Sequence, residues 1–142
     1  MGPGRFASLS RVKLGALVGG SATIIGPEAT LGDAAEALVA DDVGSLGVVA
    51  DRELVGIITE RDLVRAMAQG AEAEQEIVSD WMADAPDTFS PDVDVEAAAL
   101  WLLEVGYRHM PVMDGGELLG IISIRDILWA ITSGTSSDPE SE

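Results

Sequence analysis

Two stretches of the chain read almost alike: Leu54-Val55-Gly56-Ile57-Ile58-Thr59-Glu60-Arg61-Asp62 and, 64 residues further on, Leu118-Leu119-Gly120-Ile121-Ile122-Ser123-Ile124-Arg125-Asp126. In each, an apolar run ends at a hydroxyl residue, and a carboxylate follows three positions later. A short apolar run fits a buried strand, and Thr/Ser-x-x-Asp fits the first turn of a helix, so both stretches predict a strand giving way to a helix. Outward from them the same offset pairs Pro27 with Pro91, Ala34-Ala35 with Ala98-Ala99, Leu38 with Leu102, Val48 with Val112, Glu53 with Glu117 and Gly70 with Gly134. Between residues 23–70 and 87–134 there are 14 identities in 48 positions without a gap, the mark of an internal duplication.

Each copy predicts the same order of elements: strand, helix, strand, strand, helix. A short strand (Thr23 to Ile25; Thr88 to Phe89) precedes a proline, and a helix follows with apolar residues at spacings of three and four: Leu31, Ala34, Ala35, Leu38 and Val39, then Val95, Ala98, Ala99, Leu102 and Leu103. Two strands come next, Leu46 to Ala50 and Leu54 to Thr59, then Met110 to Met113 and Leu118 to Ser123, around the turn residues Asp51-Arg52 and Asp114-Gly115-Gly116. A last helix runs from Glu60 to Gln69 and from Ile124 to Ser133, each expected to stop at a glycine. The units span residues 12–70 and 76–134, joined through the acidic stretch Ala71 to Glu76 and followed by an acidic polar tail over 135–142. The fold class is mixed α/β (α+β), with a small three-stranded sheet and two helices per unit. Such a unit has too little core to stand alone, so the two are expected to pair about a pseudo-twofold axis.

The chain has 142 residues, 47% apolar and 23% charged, inside the globular range. Its 25 Asp and Glu oppose 8 Lys and Arg, for a net charge of −17 and a pI near 4.1. That balance argues against nucleic acid and anionic membrane surfaces, whose affinity comes from cations. Without cysteine there are no disulfides, thiolate metal sites or thiol nucleophiles. The longest charge-free stretch, Leu14 to Pro27, falls short of a membrane span, and the segment with Arg5, Arg11 and Lys13 lacks a secretory pattern, so the expected location is cytoplasmic. The nucleophile-elbow, phosphate-loop and paired-histidine zinc motifs are absent, and the carboxylates show no calcium-loop spacing, so neither an enzyme nor a metal site is expected.

The motif Thr59-x-x-Asp62, repeated as Ser123-x-x-Asp126, admits two readings. As a capping box it stabilises the helix start by about 0.5–2 kcal/mol. As a ligand corner, the helix N-terminus and Arg61 or Arg125 suit a phosphate, while the carboxylate accepts from the two hydroxyls of a ribose. Arg61, Arg108 and Arg125 all lie in the repeated motifs, beside the sole histidine, His109. Arg108 either holds phosphate or pairs with surface carboxylates, and His109 is either a ligand contact or a satisfied half-buried side chain. The first copy has Gly44 and Ser45 at the equivalent places, which predicts two unequal sites with the Asp126 side better equipped for phosphate, unless Arg108 reaches across to the other cleft.

These residues resemble a known family. Gly44-Ser45-Leu46-Gly47-Val48-Val49 with Leu54 to Asp62, and more closely Gly106-Tyr107-Arg108-His109-Met110-Pro111-Val112 with Leu119 to Asp126, are similar to the cystathionine-β-synthase (CBS) domain, and two tandem copies over residues 12–134 resemble a Bateman module. The resemblance implies that Thr59 and Asp62 serve one site for an adenosyl nucleotide and Ser123 and Asp126 another, with Arg61, Arg108, His109 and Arg125 near the phosphates. It further implies cleft walls from Thr23, Ile24, Leu46 and Val48 in the first copy and from Asp87, Thr88, Met110, Pro111 and Val112 in the second. The implied function is a regulatory sensor for AMP, ADP, ATP or S-adenosylmethionine that signals through dimer geometry, with no other cofactor. The acidic body favours ligands of few negative charges. The alternatives are a ligand-independent interaction module docking a protein effector and a weak nucleotide hydrolase. Trp101 and Trp129 stand where the first copy has Ala37 and Arg65, so both are expected outside the shared core, anchoring a homodimer, or else filling the larger half of an uneven core. Trp81 is read as packing.

Overall fold

The computed structural model describes residues 12–18, 22–84 and 86–136. The first copy forms β1 (Ile24–Ile25), α1 (Leu31–Asp41), β2 (Ser45–Ala50), β3 (Glu53–Thr59) and α2 (Glu60–Ala68). After a short 3-10 turn at Val78–Asp80 and strand β4 (Ala83–Asp84), the second copy forms α3 (Val95–Val105), β5 (His109–Asp114), β6 (Glu117–Ser123) and α4 (Ile124–Ser136). One sheet has the order β1-β2-β3-β4, with β1 parallel to β2 and the other pairs antiparallel; the second sheet is the β5–β6 hairpin. Both hairpins turn on two residues at positive φ, Asp51 and Arg52 at 52° and 68° and Gly115 and Gly116 at 65° and 150°. Turns of this class match the natural twist of paired strands. The register shift falls at the same step in each, Val48/Val49 and Val112/Met113.

The copies differ where their sequences force them to. In the first, the Gly47 N–H donates to the Thr23 carbonyl (3.0 Å) and anchors β1 against β2. Position 111 is proline, which has no N–H, so the strand expected at Thr88 to Phe89 shrinks to a single parallel bridge between Phe89 and Val112. That bridge keeps the register of Ile25 with Val48. Helix α2 is followed by Gly70 at φ 87°, as expected, but α4 runs through Gly134 to Ser136. The first two residues of the expected acidic tail are therefore helical, and residues 137–142, like Arg5 and Arg11, lie outside the described residues.

The halves exchange their leading segments. Leu14, in a 3-10 turn at Leu14–Ala16, is fully buried in a core with Val95, Ala98, Leu102, Met110, Val112, Ile122 and Ile127 of the second copy. Val78, its equivalent one repeat later, is fully buried with Leu31, Ala34, Leu38, Leu46, Val48, Ile58 and Ala66 of the first. The hydrogen bonds repeat too: Leu14 N–H to the Val93 carbonyl (2.9 Å) matches Val78 N–H to the Ala29 carbonyl (2.8 Å), and Val95 N–H to Val12 (2.8 Å) matches Leu31 N–H to Glu76 (3.0 Å). The halves also touch at Gly47, where a Cβ would come within 2.8 Å of Leu118 Cδ2. Among the described residues no helix is long and apolar enough to cross a membrane.

Leu14→Ala is expected to destabilise the protein by about 2–5 kcal/mol, because it empties a fully buried site far along the chain from the core it fills. Urea unfolding checks this, and an effect under about 0.5 kcal/mol, typical of surface positions, would contradict the exchange.

Candidate functional site

Each repeated strand-to-helix corner is locked by reciprocal hydrogen bonds. At the first, the Thr59 N–H (2.9 Å) and hydroxyl (3.1 Å) donate to Asp62 Oδ2, while the Asp62 N–H donates to Thr59 Oγ1 (3.3 Å). At the second, the Ser123 N–H donates to Asp126 Oδ2 (3.1 Å) and the Asp126 N–H to Ser123 Oγ (2.9 Å). The capping geometry is therefore present in both copies. It does not take these groups out of reach, because both corners also line open clefts.

The first cleft, about 700 Å3, is lined by Ser123, Arg125 and Asp126 of the second copy together with Thr23 and residues 42–45 of the first. The second, about 520 Å3, is lined by Thr59, Arg61 and Asp62 of the first copy together with Asp87 and residues 106–111 of the second, including Met110 and Pro111. Each cleft thus takes its Thr/Ser-x-x-Asp corner from one copy and its opposite wall from the other, as a twofold relation requires. Both volumes fall in the range of small-molecule sites.

Several expected wall residues lie elsewhere. Leu46, Val48 and Val112 are completely buried, with side chains in the cores, and line neither cleft. Alternation along a strand sends one residue in two to each face, and these point inward. Ile24 is exposed and Thr88 is exposed, and both also fall outside the two linings. Thr23 does line the larger cleft, but its hydroxyl donates to Asp41 (2.8 Å).

Gly44, Glu60, Arg108 and His109 line both clefts and form the wall between them. Arg108 therefore does reach the other cleft, and the expected advantage of the Asp126 side in cations is absent: each cleft has two arginines, Arg108 with Arg125 or with Arg61. Against them stand Asp42, Glu60 and Asp126 in the larger cleft and Glu60, Asp62, Asp84 and Asp87 in the smaller. A remaining asymmetry lies at the corners themselves. Asp62 Oδ1 accepts from Arg65 Nη2 (2.9 Å), whereas Asp126, with Trp129 in the place of Arg65, has no ion pair among the described residues. Burial pushes the His109 imidazole below its ordinary value of 6.5; Asp126, Glu60 and Asp62 oppose that shift, and Arg108 adds to it.

Sequence reading missed Glu60, although its exchange for Ile124 at a repeated corner marks it as a charge the shared fold does not require. Tyr107 and Asp84 were missed as well; Asp84 arrives through β4, whose pairing with Gly56 depends on that residue lacking a Cβ, since one there would sit 2.8 Å from the Ala83 carbonyl oxygen. Trp101 is not outside the core: it is half-buried against the second core, edge-to-face with Phe89 and Tyr107 at 5.5 and 5.8 Å. Trp129 is 70% exposed, and Trp81 packs on the first core while its indole N–H donates to Glu76 (2.8 Å). No group of three or more His, Asp or Glu side chains among the described residues could hold a metal ion.

The sequence matches the CBS domain over residues 21–69 and 78–133. A curated relative from Methanopyrus kandleri is 37% identical over 89 residues, covering 61% of this chain and 45% of that protein. This chain spans 36–66% of the length of three archaeal relatives that it matches. Among solved structures, a CBS-domain-containing protein of Agrobacterium tumefaciens is 35% identical with a TM-score of 0.77, covering 83% of this chain and 98% of that one. A CBS domain protein of Pyrobaculum aerophilum, solved in complex with AMP, is 26% identical with a TM-score of 0.76, covering 86% and 99%.

Because the His109 proton is disfavoured in the folded state, the unfolded chain binds more protons between 6.5 and the lowered native value, and stability is expected to fall as the pH drops through that window. His109→Gln should flatten this part of the stability–pH curve. Denaturant titrations between pH 7.5 and 5.5 on both proteins check it; identical slopes would contradict a half-buried imidazole that disfavours its proton.

Proposed function

Since the chain belongs to the CBS-domain family, we propose that it is a regulatory sensor that binds an adenosyl nucleotide in the clefts between its two copies. The observation that carries this reading is the state of its arginines. In a chain of net charge −17, Lys13 and Arg65 have found carboxylates, Asp94 and Asp62; Arg52, at the first hairpin turn, and Arg61, Arg108 and Arg125 make no ion pair among the described residues, and the last three all line the clefts. Guanidinium groups held beside a hydroxyl–carboxylate corner suit a ligand that carries both a ribose and a phosphate. Thr59 with Asp62, and Ser123 with Asp126, would take the ribose hydroxyls; Arg61, Arg125, Arg108 and His109 would face the phosphate. Asp87, Met110 and Pro111 in one cleft and Thr23 in the other would border the base. The carboxylates outnumber the arginines in both clefts, which favours AMP or a less anionic adenosyl compound such as S-adenosylmethionine over ATP.

The reading places the module in the cytoplasm, as a regulatory unit rather than a catalyst, and gives it a second copy as partner. Exposed apolar side chains recur at repeat-equivalent helix positions, Val39 with Leu103 and Val64 with Leu128, and Leu100, Met67 and Trp129 extend them. Apolar helix faces repeated in this way fit a homodimer whose geometry responds to occupancy, provided the ligand binds one arrangement better than another. The exposed Trp129 also favours a second reading, a ligand-independent module that docks a protein effector.

Thermal unfolding with AMP, ADP, ATP and S-adenosylmethionine separates the two readings. An adenosyl compound at about a hundred times its Kd should stabilise the protein by about 2.7 kcal/mol, and Asp62→Ala with Asp126→Ala should remove most of that gain. Turnover measured in the same samples should show no product. No stabilisation by any of the four compounds would leave the docking module. Leu103→Asp with Leu128→Asp is expected to shift sedimentation from dimer to monomer, and an unchanged sedimentation coefficient would rule out this face.

A further inference from the structure

The wall between the clefts carries a cation on one side of the duplication only. Gly44 and Arg108 are repeat-equivalent, and their backbones are held alike: the Gly44 carbonyl accepts from the Glu60 N–H (3.0 Å) and the Arg108 carbonyl from the Ile124 N–H (2.9 Å). Arg108 lines both clefts and makes no ion pair among the described residues. Arg61 and Arg125, in contrast, each line a single cleft.

Resting on the adenosyl-nucleotide reading, we propose that the two clefts compete for the single Arg108 guanidinium, so that phosphate-bearing ligands bind them anticooperatively, and that Gly44 is the residue responsible. The first occupant takes Arg108 together with its own cleft's arginine. The second meets one arginine against at least three carboxylates, and a like charge across the shared wall. Loss of one charge-assisted contact corresponds to a weakening of about tenfold or more. A ligand without phosphate has no claim on Arg108 and should fill both clefts without this penalty.

The geometry also supplies the converse experiment. A Cβ on Gly44 would sit 3.4 Å from Glu60 Oε1 and 3.6 Å from His109 Nε2, contacts that a side chain can occupy, and the φ of Gly44 is not in the left-handed region. Gly44→Arg therefore adds the missing cation at the shared wall, next to Glu60.

Isothermal titration of the full chain with AMP and with adenosine, on the wild type, Gly44→Arg and Arg108→Gln, tests the proposal. Wild type should take one AMP per chain tightly and a second about tenfold or more weakly, while adenosine shows no such gap. In Gly44→Arg the two AMP affinities should converge by strengthening of the second; in Arg108→Gln they should converge by weakening of the first, so the pair remains decisive if one variant does not fold. Two equal AMP sites in the wild type, or a gap that persists in both variants, would overturn the shared arginine while leaving the sensor reading intact. No binding of either compound would overturn the shared arginine, and the sensor reading itself falls only if ADP, ATP and S-adenosylmethionine also fail to stabilise the protein.

Discussion

Neither half closes its core with the segment that precedes it in the chain. Leu14 fills the core built around Ala98, Leu102 and Ile122, and Val78 fills the one built around Ala34, Leu38 and Ile58. Units of this size bury too little apolar surface to be stable alone, and exchanging a leading segment makes each depend on chain that lies beyond its own repeat. The hydrogen bonds that seat the two segments are related by the same offset of 64 residues, so the exchange is a property of the repeat and not of either copy. It also sets the site, because halves interlocked in this way hold the corner of one copy against the opposite wall of the other.

In the proposed function the corners serve structure and binding with the same atoms. One carboxylate oxygen and one hydroxyl lock the strand-to-helix turn, and the same residues line the clefts. A capping box and a ligand corner are therefore not rivals here. The lock fixes the carboxylate's orientation, and a fixed acceptor loses less entropy on meeting a ribose than a free one would. The copies diverge in what holds the outer oxygen: Arg65 restrains Asp62, whereas Trp129 occupies the matching place near Asp126 and turns outward.

The electrostatics of the clefts follow from substitution at repeated positions. Glu60 against Ile124, Gly44 against Arg108 and Ser45 against His109 leave one charged, partly buried wall shared by two cavities. The His109 imidazole is held below its ordinary value by burial despite the carboxylates around it, so Arg108 is the fixed positive charge of that wall near neutral pH. The charge of the clefts thus depends on few residues, while the fold depends on many.

The sequence alone determined the duplication, the order of helices and hairpins and the capped corners, but not β4 or the reduction of the strand at Thr88 to Phe89 to a bridge, because the former rest on local periodicity and on side chains that reach only three residues along the chain. It also placed Thr59, Asp62, Ser123 and Asp126 at helix starts, since hydroxyl and carboxylate at that spacing satisfy the first-turn N–H groups whatever surrounds them. Only the tertiary structure decided that each cleft is assembled across the copies, that Leu46 and Val48 point into the core and that Arg108 serves both cavities. Which face of a strand is buried, and which segment fills which core, depend on packing between residues far apart in the chain, such as Leu14 with Val95 and Val78 with Leu31, and spacing along the chain carries no information about such pairs.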